Sequence, residues 1–169
     1  MNFRRFDTGQ LPELMAWFAD AHSLRIWGGP EFRFPFSDAT FREDAKVDGI
    51  DSFALVADDG GLAAFGQCYL RIERCHFGRV GVAPLRRGQG HGTRLLAEMA
   101  VWGQARFGPR ELSLFVKHDN EAAHRLYRRL GFRESPYPDL TFIPDAHYMI
   151  ADAAALRMPR MSRAPSADR

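Results

Sequence analysis

Residues 80–92 read Val-Gly-Val-Ala-Pro-Leu-Arg-Arg-Gly-Gln-Gly-His-Gly, and no other stretch constrains the fold as much. Val80 and Val82 end a short apolar strand, and Pro84 stops it. Glycines recur at 88, 90 and 92, and a helical pattern runs on from Thr93. A strand that empties through a glycine loop into a helix N-terminus is an anion trap. Glycines let backbone N–H groups close around phosphate oxygens, and the helix dipole favours the negative charge. The stretch is therefore expected to hold a diphosphate. A strand leaving through a helix also returns beside itself in parallel, by a right-handed crossover.

The flanking sequence supplies the other elements. Residues 2–6 read as a strand, and Asp7 or Thr8 caps a helix over 9–22, with Leu11, Leu14, Met15 and Phe18 at helical spacing. Glycines and prolines over 24–36 predict a loop, and Ser37 or Asp38 caps a helix over 38–47. Residues 52–57 read as a buried strand, Asp58-Asp-Gly-Gly61 as a hairpin turn and 62–72 as the returning strand. Glu73-Arg74-Cys75 turns the chain into strand 76–83. The helix over 91–106 stops at Gly108-Pro109, 112–116 is a strand, and Asp119 or Asn120 opens a helix that Gly131 closes. Residues 146–151 read as a last strand, and 158–169 as a polar, mobile tail.

The order β-α-α-β-β-β-α-β-α-β-β predicts an α/β (mixed α+β) fold. Its centre is a twisted mixed sheet of about six or seven strands with helices on both faces. One domain over 1–157 is expected. The apolar fraction of 46% is enough for a core, and no apolar run is long enough to span a bilayer. The N-terminus has no apolar leader, so a cytoplasmic protein is expected. A net charge of +2 is too small to argue for nucleic acid, and no membrane partner is implied. Cys68 and Cys75 flank a hairpin turn and are expected as free thiols; no metal is expected.

Three diphosphate loops compete. A Walker loop needs Gly-Lys-Ser/Thr, but Gly92 is followed directly by Thr93. A dinucleotide loop needs Gly-x-Gly-x-x-Gly, but counting from Gly88 the third glycine would fall on Thr93. The third pattern is Arg/Gln-x-x-Gly-x-Gly/Ala, and Arg87-Gly-Gln-Gly90-His-Gly92 fits it. Here the chain resembles the general N-acetyltransferase (GNAT) superfamily, whose usual Val-x-Pro strand end is matched by Val82-Ala-Pro84. Residues 112–132, with Asn120, Ala123, Leu126-Tyr127 and Gly131-Phe132, are similar to that family's later motif. The resemblance covers 76–132, and the N-terminal third only by element order.

The resemblance implies a GNAT-like fold and acetyl-CoA as the co-substrate of an N-acetyltransferase. Backbone groups of Val80, Gly81 and Val82 would extend the sheet onto the pantetheine arm. Arg87, Gly88, Gln89, Gly90, His91, Gly92 and Thr93 would surround the pyrophosphate, with Asn120 and Ala123 on the later helix. Tyr127 would protonate the departing thiolate. A phenol and a thiol have similar pKa values, so the transfer loses little driving force. As a core residue, the same tyrosine would instead complete the Leu-Tyr/Gly-Phe packing set.

Members resembling the ribosomal-protein acetyltransferases carry Leu-Glu-Val where this chain has Leu114-Phe115-Val116. Glu73, acting through water, is the expected substitute base, with His76 beside it; some members need no dedicated base. Trp27, Phe32 and Phe34 are expected to wall the acceptor site, with residues 133–145 completing it; they would equally serve as a plug under a long loop. His118 and His124 read as surface. The implied acceptor is a primary amine of a small molecule or amino acid. A peptide or protein amine, or a non-catalytic acetyl-CoA sensor, is the alternative. The chain would act as a monomer or homodimer.

Overall fold

The computed structural model describes residues 1–138 and 145–156. Among these residues seven strands form one sheet in the spatial order β1-β2-β3-β4-β5-β7-β6. They are β1 (Asn2–Arg5), β2 (Ser52–Val56), β3 (Leu62–Arg71), β4 (Arg74–Val82), β5 (Glu111–Lys117), β6 (Arg133–Glu134) and β7 (Ala146–Asp152). Every neighbouring pair is antiparallel except β4 and β5, which are parallel and joined by helix α4 (His91–Phe107). This is the crossover that the glycine loop requires. The other helices are α1 (Leu11–Met15), α2 (Ala21–Gly28), α3 (Asp38–Ala45) and α5 (Glu121–Arg129). Among the described residues no helix is long and apolar enough to cross a membrane. The expected tail over 158–169 lies outside the described residues.

Each sheet face carries its own core. On one side Leu95, Leu96, Met99 and Ala100 of α4 and Tyr127 of α5 pack on Phe53, Cys75, Phe77, Leu112, Leu114 and Met149. On the other, Leu11, Leu14, Leu24, Phe41 and Ala45 from α1–α3 pack on Ala54, Leu62 and Phe65. The alternation of strand side chains divides the apolar residues between the two.

Two expectations need correction. The helix expected over 9–22 is two helices, and the second runs on into the segment read as loop. Pro12 opens α1, and bonds from Trp17 N–H to Leu14 C=O and Phe18 N–H to Met15 C=O tighten its end. Asp20 then starts α2, its Oδ1 accepting from Ser23 N–H at 2.8 Å. The break turns Phe18 onto Trp27 and Phe41, a contact that one straight helix would forgo. The β3–β4 hairpin turns at Ile72 and Glu73, both left-handed (φ 47° and 56°), so β4 starts at Arg74. Two left-handed residues match the twist of a two-residue hairpin.

Gly103 brings α4 down onto the sheet. A Cβ there would lie 2.2 Å from Cys75 Sγ and 3.0 Å from Cys68 Sγ. Both cysteines are free and buried, their sulfurs 2.9 Å apart. Gly to Ala inside a helix ordinarily adds about 0.5–1 kcal/mol. Overpacking against two fixed thiols costs about 1–3 kcal/mol, so the clash wins. Gly103→Ala is expected to lower the urea midpoint at unchanged m-value; a raised midpoint would contradict this packing.

Candidate active site

Strands β4 and β5 pair at only three positions: Cys75 with Leu112, His76 with Ser113, and Phe77 with Leu114. Both strands then run on. β4 stays bonded to β3 as far as Val82, and β5 stays bonded to β7 through Lys117 and Ala146. Among the described residues nothing rejoins them, so the sheet opens between Gly78–Val82 and Phe115–Lys117. Backbone groups on facing strand edges are left there without strand partners.

A bulge accompanies the opening. Gln67 pairs with Gly78 and Phe65 with Gly81, so Arg79 and Val80 together oppose Gly66. Arg79 takes a left-handed φ of 49°. A bulge bends its strand and raises its twist, and the extra residue resets the alternation. Val80 and Val82 consequently pack on the same core as Phe77, beside α4. Gly81 faces the other way, where an added Cβ would meet Trp27 Nε1 at 3.0 Å and Trp17 at 3.4 Å. Arg79 holds the bulge by donating to Gln67 Oε1 at 2.7 Å and to Asp44 C=O at 3.1 Å.

Beyond β4 the chain makes one tight turn over Pro84–Arg86 and then exposes Arg87, Gly88, Gln89 and Gly90. Gly88 (φ 74°) and Gly90 (φ 80°) are glycines for conformation, with open space where a Cβ would be. Gly92 is a glycine for proximity: its added Cβ would stand 3.3 Å from Leu126 and 3.5 Å from Val82. No side chain caps α4, so its first N–H groups are open to a ligand. His91 is half-buried in this turn, its Nε2 enclosed without a partner, and Thr93 is half-buried as well.

Helix α5 borders the gap from the α4 side. The Asn120 side-chain oxygen accepts from Ala123 N–H at 3.2 Å, which caps the helix. At the other end Gly131 is left-handed (φ 91°), with Gly131 N–H bonded to Arg128 C=O and Phe132 N–H to Tyr127 C=O. This double bond pattern is a Schellman motif, and the Phe132 ring completes it edge-on to Tyr127, centroids 5.9 Å apart. Tyr127 is 6% exposed, and burial pushes its phenol up to about 12, which keeps it protonated.

The sequence profile of the acetyltransferase (GNAT) family matches residues 12–132. The chain belongs to the acetyltransferase (GNAT) family. Its enzyme class is that of an N-acetyltransferase. The fold is similar to that of a spermidine N-acetyltransferase from Vibrio cholerae, solved with CoA and spermine. There the TM-score is 0.70 at 18% identity, over 92% of this chain and 96% of that one. It is also similar to a ribosomal-protein-alanine N-acetyltransferase from Brucella melitensis, with a TM-score of 0.66 at 21% identity, over 90% and 99% of the two chains.

In this acetyltransferase Glu73 is not brought to the gap. It is exposed in the hairpin turn, five residues before Gly78, which is about 16 Å of strand. His76 stands next to the opening instead. It is 2% exposed, Nδ1 is 2.9 Å from Ser113 Oγ, and its ring lies between Tyr69 and Phe115. Burial, with some help from Arg71, lowers its pKa to about 3, so the imidazole is neutral but a weak base.

The three expected acceptor residues separate. Trp27 lies over Gly81 with its Nε1 buried and unpartnered. Phe32 is core, packed above Gly28, Trp27 and Phe41 rather than lining an opening. Phe34 is exposed and touches Phe36. Sequence reading missed a second aromatic group on the same face: Phe115, Tyr137 and Tyr148, with mutual centroid distances of 5.0–5.1 Å. Arg71 lies over Phe115 and Tyr137 and donates to the Tyr137 hydroxyl at 2.9 Å. Phe115 and Tyr148 are cross-strand partners, which only the β5–β7 register reveals. Residues 139–144, part of the expected acceptor segment, lie outside the described residues.

His76 ties stability to pH. An unfolded imidazole takes a proton near pH 6.5, while the buried one resists until about 3. The unfolded chain therefore binds more protons between these values, and stability present above 6.5 is lost on acidification. Linkage gives a loss of about 2–3 kcal/mol by pH 4.5 from this group. Urea midpoints at pH 7 and 4.5 are expected to differ less in His76→Gln than in wild type; equal differences would remove His76 as the source.

Proposed function

We propose that the chain moves the acetyl group of acetyl-CoA directly onto a primary amine of a small molecule or amino acid, with Tyr127 as the general acid. The observation that carries this reading is the opening of the sheet past Phe77 and Leu114. The opening lies between the face that carries α5 and Tyr127 and the face that carries Trp27, Phe115 and Tyr148.

Three features fit acetyl-CoA as the donor. The free edge of β4 from Gly78 to Val82 suits an extended chain bearing amides, by the same bonds that pair strands. The loop from Arg87 to Gly90 offers left-handed glycines and the uncapped N–H groups of α4 to a diphosphate. The enclosed, unpartnered His91 Nε2 lies at that turn. The donor supplies an activated thioester. The amine lone pair forms the new C–N bond as the C–S bond breaks, Tyr127 gives its phenolic proton to the thiolate, and water restores that proton; the burial that raises the phenol also disfavours a thiolate beside it, so the two stay matched. The ammonium proton leaves to water, since Glu73 is remote and His76 too weak a base.

Arg71 and Arg79 bring cationic groups to the acceptor face. They favour an amine that carries its own carboxylate over a polyamine. Thiol release across amino acids, polyamines, aminoglycosides and peptides tests this: amino acids are expected to turn over fastest. Tight CoA binding without thiol release from any amine would favour a sensor.

Tyr127→Phe is expected to lower kcat about 10²–10⁴-fold and leave acetyl-CoA affinity nearly unchanged. Unaltered kcat would remove Tyr127 from the mechanism. Without a dedicated base, kcat/KM is expected to rise about tenfold per pH unit until the acceptor amine's own pKa is reached. A plateau that begins near pH 6–7 would show a side-chain base.

A further inference from the structure

Three histidines and a carboxylate gather where α5 meets β6 and β7. His124 is on α5, Glu134 on β6, His147 on β7, and His118 in the connection between β5 and α5. His124 Nε2 is 2.9 Å from one Glu134 oxygen, and His147 Nδ1 is 3.2 Å from the other. One nitrogen or oxygen from each of His124, Glu134 and His147 lies within 4.8 Å of the other two. The His147 ring is 4.3 Å from His118 and 4.9 Å from His124, centroid to centroid. His118 N–H is bonded to Asp145 C=O at 2.9 Å, which fixes this connection beside the start of β7.

We propose that His124, Glu134 and His147 form a binding site for a zinc-class divalent cation, with the His118 ring beside it. Tetrahedral zinc at 2.0–2.1 Å from each ligand sets its donor atoms about 3.3 Å apart. The two nitrogen–oxygen separations are near that value but run to different Glu134 oxygens, so the carboxylate would bind the cation through both oxygens or turn to present one. Two imidazoles and one carboxylate suit zinc, cobalt, nickel or copper, whereas magnesium and calcium prefer all-oxygen shells. Stacked histidines repel when both are protonated and coexist easily when neutral, which is the form that binds metal. The ligands come from three separate elements, so the cation would pin α5, and hence Tyr127, to the edge strands. Arg128 is the cation that acts on Glu134 from α5 and competes with the metal for its charge.

Alternatively the group is only a histidine–glutamate ion pair. Cobalt(II) titration of chelator-treated protein without a histidine tag separates the two. Expected is one equivalent bound with nitrogen/oxygen-type visible bands, and a tenfold or greater loss of affinity in Glu134→Gln and His147→Ala. Glu134→Gln keeps the side-chain shape, so the result does not depend on tolerance of a truncation. Zinc is expected to raise Tm in wild type and not in the His124→Ala/His147→Ala double variant. Absence of binding at millimolar cobalt would overturn the proposal. So would affinity or a Tm shift retained in these variants, which would move the metal elsewhere, such as to the Cys68–Cys75 pair.

Discussion

Strand β4 is held along its length by β3 on one edge and by β5 over only three residues on the other. That asymmetry governs the rest. The closed part is fixed by core residues on the α4 side and by the His76–Ser113 contact on the other. The open part is kept by the Arg79 bulge, whose guanidinium reaches Gln67 and the end of α3. Gln67 in turn donates to Ala45 C=O and Ser52 Oγ, so the bulge is tied to α3 and to β2. A half-buried strand edge without strand partners is an open template, and a ligand with amides of its own would pair with it.

Around this opening, each glycine meets a different demand. Gly88 and Gly90 let the backbone turn left-handed before α4, Gly92 lets α4, α5 and Val82 approach, and Gly131 closes α5. The last of these bears on Tyr127. Its carbonyl, ring and burial are all set by the helix-ending motif, so the core and catalytic readings of this tyrosine are compatible. Rigid placement is what a proton donor needs, because misalignment of a fraction of an ångström weakens the transfer.

Much of this was legible in the sequence because the requirements are local. Arg87 to Gly92 and Asn120 to Phe132 carry fixed spacings that caps, left-handed turns and helix starts dictate over a few residues. The split of the first helix was missed because Leu11, Leu14 and Phe18 keep helical spacing across the break. The decision between one helix and two lies with Trp27 and Phe41, which are distant in sequence. Glu73 looked close to the chemistry in sequence, but a hairpin turn carries it to the far end of β4. The Phe115–Tyr137–Tyr148 group and the His118–His124–His147 group have no sequence period at all, since each is assembled across the β5–β7 register.

The sequence alone determined the family, the parallel crossover through the glycine loop, and the left-handed glycines that lead into α4. Each of these is a demand on backbone conformation that short-range chemistry enforces. The tertiary structure decided where the sheet opens, which face Tyr127 occupies, and which aromatics stand across from it. Those follow from a one-residue bulge and from strand register, which set contacts between residues dozens of positions apart and leave no trace in local spacing.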